Sequence, residues 1–110
     1  MRNRSTKIVF PAFNGYEVRV ICTRNIITTG RRLREKLEDA EASFVTKKEN
    51  GIHDKGWLIF KENAEPGTIA HECSHAIKAM FIYIGAKQED ELFAHHLDYL
   101  VGKVHKFLGK

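Results

Sequence analysis

Between Pro66 and Gly85 the chain reads Pro-Gly-Thr-Ile-Ala-His-Glu-Cys-Ser-His-Ala-Ile-Lys-Ala-Met-Phe-Ile-Tyr-Ile-Gly. This stretch constrains the fold more than any other. Proline suits the first turn of a helix, where its missing N–H leaves no bond unmade. Glycine suits the left-handed position that ends one. The spacing predicts a helix from Thr68 to about Ile84. Stepping about 100° per residue from His71, the residues Ile69, Cys73, Ala76, Ile77, Met80, Phe81 and Ile84 fall between about 140° and about 280°. His75 falls at about 40° and Glu72 at about 100°, away from that stripe. Ala79, at about 80°, and Ile82, at about 20°, stand among the polar groups. The expectation is a helix covered on both sides, whose two histidines would need partners.

Around this helix the chain alternates short strands and turns. Lys7–Phe10 is apolar and stopped by Pro11, Asn14-Gly15 is a turn signal, and Tyr16–Cys22 alternates as a strand does. Leu33 and Leu37 are four apart, so Arg31–Ala40 reads as a short amphipathic helix that Thr28 or Thr29 could cap. Ala42–Lys47 and Trp57–Phe60 read as strands, with a turn at 48–51 and a loop widened by Asp54-Lys55-Gly56. A last helix is expected from about Glu89 to Leu108. Strands first and two long helices last predict an α+β fold: a small, mostly antiparallel sheet packed against the two helices.

The 110 residues suit one domain over 1–110. Composition excludes wholesale disorder, since 43% of residues are hydrophobic and 29% charged. No apolar run approaches the roughly 18 residues of a membrane span. The basic start, Met1 to Lys7, is followed by too mixed a stretch for a secretory leader. Cys22 and Cys73 do not make a disulfide framework, so a reducing cytoplasm is expected. The net charge of +4 comes without a groove-reading motif, and acidic residues flank Arg31-Arg32-Leu33-Arg34. Nucleic acid is therefore not the expected partner.

His71-Glu72-Cys73-Ser74-His75 is an H-E-x-x-H pattern on a helix. Residues four apart lie one turn along the same face, so two imidazoles can grip one tetrahedral zinc ion. Glu72 then stands beside the open coordination position, where a carboxylate can move a proton from water to a leaving amine. Cys73 points to about 200° on the same wheel, into the apolar stripe, and reads as a core thiol. A zinc site needs a third protein ligand. On the last helix Glu91, His95 and Asp98 share one face, and His96 lies on another. A plain helical hairpin turning near 85–87 brings residues 95–97 level with His75, which favours His95 by counting. Ala94, at the edge of that face, suits a close approach of the two helices. Tyr99 either nears the site or packs, Trp57 reads as sheet packing, and His53 and His105 read as surface groups.

Three segments carry a resemblance: Trp57-Leu58-Ile59-Phe60, Gly67–Ala76, and Asp90-Glu91-Leu92-Phe93-Ala94 with the later Tyr99-Leu100-Val101-Gly102. Over residues 57–108 the chain resembles the gluzincin metallopeptidases, and more narrowly the very small ones of bacteriophages and prophages. The resemblance implies a minimal zincin-like domain working in the cytoplasm of a host cell. It implies Zn²⁺ held by His71, His75 and Glu91, with Glu72 as catalytic base and a peptide or protein as substrate. If Glu91 binds the metal, His95 could support it or polarise the substrate carbonyl. On this reading the strand Trp57–Phe60 lies along the cleft and pairs with an extended substrate. The rival expectation is a zinc-stabilised binding module without turnover.

Overall fold

The strand Tyr16–Thr23 is made for a sheet interior: Tyr16, Val18, Val20 and Cys22 are buried, while Arg19 between them is exposed. In the computed structural model, which describes residues 3–13, 15–33, 35, 37, 40–49, 52–85 and 90–109, four strands form one sheet. They are β1 (Arg4–Phe10), β2 (Tyr16–Thr23), β3 (Ala42–Glu49) and β4 (Ile52–Lys61), in the order β1-β2-β4-β3. β1 pairs antiparallel with β2, setting Ile8 against Val18, and β3 pairs antiparallel with β4, setting Phe44 against Leu58. The central pairing of β2 with β4 is parallel and aligns Val20 with Leu58. The sheet is thus mixed, with two antiparallel pairings and one parallel, because α1 (Ile26–Arg32) and β3 are spent in returning the chain to run alongside β2.

One face of the sheet is closed by α2 (Pro66–Ile84) and α3 (Asp90–Leu108). Ile8, Phe10, Val18, Val20, Leu58 and Phe60 meet Ile69, Cys73, Ala76, Ile77, Met80 and Phe81 of α2 and Leu100 and Val104 of α3 in a single core. Each large apolar side chain removed from water here contributes roughly 1.5–3 kcal/mol. Phe93, Leu97, Val101, Phe107 and Leu108 of α3 pack around its margin. Gly85 has φ +68° and its N–H reaches the carbonyls of Ile82 and Phe81, so α2 stops where expected. Among the described residues no helix is long and apolar enough to cross a membrane.

Three local expectations are corrected. The short helix lies over Ile26–Arg32 and not over 31–40. Asn25 caps it, accepting from the Thr28 N–H at 3.0 Å, and Thr29 is occupied instead with Thr23 and the Asn25 carbonyl. Leu37 folds back so closely that a Cβ on Gly30 would stand 2.7 Å from its Cγ. Next, Asp54-Lys55-Gly56 belongs to β4 and not to a loop. Gly56 is buried under the Phe44 ring, where a Cβ would lie 2.6 Å from Cε1; bare backbone lets the ring cross the strand. Third, β4 is an interior strand, flanked by β2 and β3. The open edge beside α2 is β3.

Candidate functional site

The second and third turns of α2 carry His71, Glu72 and His75. Helical geometry sets the two histidines one turn apart, and both rings turn inward to each other. Their Nε2 atoms are 3.2 Å apart, with ring centroids at 4.7 Å and planes at 89°. Two ligand nitrogens at about 2.0–2.1 Å from a tetrahedral zinc ion stand about 3.3 Å from each other. The spacing fits one ion shared by both rings. It also fits a neutral pair in which one N–H donates to the other ring. Ser74 Oγ donates to the His71 carbonyl at 2.6 Å, a bond within the helix.

The surroundings differ from the expected covered helix. His71 and His75 are exposed, and Ile82 on the same side is 66% exposed. The reason is architectural: sheet and α3 cover two sides of α2, and among the described residues no further layer covers the third. Glu72 is half-buried and, with His75, lines an open groove of about 500 Å³. Ser43, Phe44 and Thr46 of the edge strand β3 form one wall; Glu72, His75 and Lys78 of α2 form the other. Lys78 falls at about 340° on the same helical wheel, about 20° from His71, so its place beside the histidines was readable from periodicity. The β3 wall was not, because it depends on strand order.

Cys73 is buried in the core, as expected. Burial, reinforced by the Glu72 carboxylate, pushes its thiol pKa up to about 12. It is a packing residue, since a metal-ligating cysteine acts as thiolate.

The α3 candidates are less gathered. Glu91, His95 and Asp98 are surface groups: Glu91 and His95 are exposed. Among the described residues no third His, Cys, Asp or Glu joins the His71–His75 pair in a cluster able to hold a metal. His95 stacks edge-on to His96 at 5.5 Å. His96 turns the other way, into Phe13 at 4.7 Å and towards Phe10 and Phe81 at 6.2 Å each. Burial, and then the neighbouring His95, lower its pKa. Ala94 is exposed, and α2 meets α3 through Phe81 and Phe93 at 5.8 Å. Tyr99 packs edge-on to Phe10 at 5.8 Å and lines a separate groove beside β1. Trp57 is half-buried in β4 and His105 half-buried on α3; the side chain of His53 lies outside the described residues. Compared with known proteins, the chain matches no protein-family model, and no curated protein or solved structure is significantly similar to it.

Proposed function

We propose that this chain is a zinc-dependent peptidase, with a zincin-like arrangement of its α+β fold. One observation carries the reading: two imidazole nitrogens converge to 3.2 Å, and one of the two rings, His75, shares with the Glu72 carboxylate a groove walled by the edge strand β3. His71 and His75 hold the ion, and Glu91 of the first turn of α3, which stands apart from the pair, closes on it as the third protein ligand. Zinc, when bound, supplies Lewis acidity for water and for the scissile carbonyl. Glu72 accepts the proton of the attacking water and hands it to the departing amine. His95 donates to the developing oxyanion. An extended peptide lies along the groove and pairs with the free edge of β3, the role the sequence suggested for Trp57–Phe60. Two buried free cysteines accord with a reducing compartment, so we assign the activity to the cytoplasm, that of the host cell for a phage-encoded chain.

The test is a peptide-library digest by zinc-loaded protein, with Glu72→Gln beside it. The expected result is cleavage by the parent, and a loss of at least about a hundredfold in the variant at unchanged zinc content. Equal rates in the two proteins would refute the role of Glu72. Stoichiometric zinc with no cleavage by either would make the chain a zinc-stabilised binding module.

A further inference from the structure

At the opposite edge of the sheet from β3, the other edge strand faces a helix across an open groove of about 410 Å³. Thr6, Lys7, Ile8 and Val9 of β1 line it in unbroken succession. Consecutive residues of a strand point to opposite faces, so what the groove follows is the backbone edge itself. In an antiparallel pair every second residue turns its N–H and C=O away from its partner, and among the described residues β1 has a partner on one side only. The opposite wall is a helical stripe of α3: Tyr99, Lys103 and Lys106. No acidic residue is among the described residues that line the groove.

The cations are not equivalent. Lys7 is held 3.6 Å from Glu17. Lys103 lies over the Tyr99 ring, 5.5 Å from its centroid. Lys106 has no acidic partner among the described residues. Arg4, at the start of the strand, donates to the Phe107 carbonyl and lies over the Phe107 ring at 5.1 Å. It ties β1 to the end of α3.

We propose that this groove receives an extended acidic segment of a partner protein, which adds to β1 as a fifth strand. Main-chain bonds to Thr6–Val9 give the affinity, and alternate side chains give the selectivity. The segment alternates accordingly. Glu or Asp at every second position faces Lys103 and Lys106, and apolar residues between them cover Val9, which is 41% exposed on the other face. Single-stranded nucleic acid fits less well. It needs free aromatic faces for its bases, whereas Tyr99 is capped by Lys103 and held edge-on by Phe10.

The test uses a labelled peptide of alternating Glu and Val, read by fluorescence anisotropy and by amide shifts of the full chain. Its controls are the same peptide with alternate amides N-methylated, a Lys/Val peptide and an oligothymidylate. The Glu/Val peptide is expected to bind and to shift the amides of Thr6–Val9. Methylation on the strand-pairing edge, Lys103→Glu and Lys106→Glu should each weaken it about tenfold or more. Arg32→Glu, an equal charge change on α1, should alter it less than about twofold. Tighter binding of the oligothymidylate, indifference to methylation, or equal loss with Arg32→Glu would overturn the proposal. So would no binding at all, in which case the lysines serve only to keep this edge from pairing with other chains.

Discussion

His71 Nε2 and His75 Nε2 stand 3.2 Å apart with their rings nearly perpendicular. Neither ring needs to move far to share a cation, and either can be the donor when none is bound. The pair has the spacing of two ligands to one ion and equally that of a neutral hydrogen-bonded pair, and both rings lie on an exposed side of α2.

Zinc titration tests that preparation. The parent is expected to bind one zinc ion and to melt higher with zinc than with chelator, since a ligand that binds only the folded state stabilises it. His71→Ala and His75→Ala should each abolish stoichiometric binding. Glu91→Ala should weaken binding about tenfold or more while His95→Ala leaves it nearly intact. The reverse order would assign the third position to His95. The readout is zinc content after gel filtration together with the melting shift.

Cys73 should be chemically silent in the native protein. A thiol with a pKa of about 12 is roughly one part in ten thousand thiolate at about pH 8, and the thiolate is the reactive form. A disulfide reagent at that pH is expected to leave Cys73 unmodified in buffer and to modify it fully in guanidinium. Mass spectrometry of the native reaction, finding Cys73 labelled within minutes, would contradict its burial.

Acid should loosen the packing at His96. Its folded pKa is lowered by burial and then by His95, so the folded state prefers the neutral ring. That contribution to stability is complete above the unfolded value of about 6.5 and is lost as pH falls below it, through the folded value. The melting temperature is expected to drop as the pH falls below about 6.5. It should drop less in His96→Phe, which keeps an aromatic ring against Phe13 and Phe81. Parallel pH profiles for the two proteins would remove His96 from the account.

Gly56 should accept a side chain only if the Phe44 ring moves. A Cβ there meets Phe44 Cε1 at 2.6 Å and Tyr16 Oη at 3.1 Å, so Gly56→Ala must displace the Phe44 ring, which walls the groove beside Glu72. The expected cost is about 1–3 kcal/mol by urea denaturation, with unchanged slope. Gly56→Ala should cost less in a Phe44→Ala background than in the parent, because the clash with the ring is removed.

The two long helices were legible because each carries its evidence locally. In α2 the Pro66 start, the Gly85 stop and the helical recurrence of Ile69, Cys73, Ala76, Ile77 and Met80 specify both the element and its buried face. The same recurrence places His71, Glu72 and His75 together. Strand existence was legible too, from alternation in β2. Local signals misled where a tertiary contact outweighed them: Leu37 folds onto Gly30 and does not continue a helix, and Gly56 stays in a strand because Phe44 covers it.

What no local pattern could supply was adjacency between distant segments. Strand order decided that β3 and not β4 is the edge facing the histidines, and layer number decided that they are exposed. Helix crossing decided that His96 packs, half-buried, against Phe13 while Glu91 and His95 remain at the surface. A helical face is set by bonds between residues four apart, which sequence records directly. Which surface that face meets is set by burying area across the whole chain, and only the assembled core resolves it.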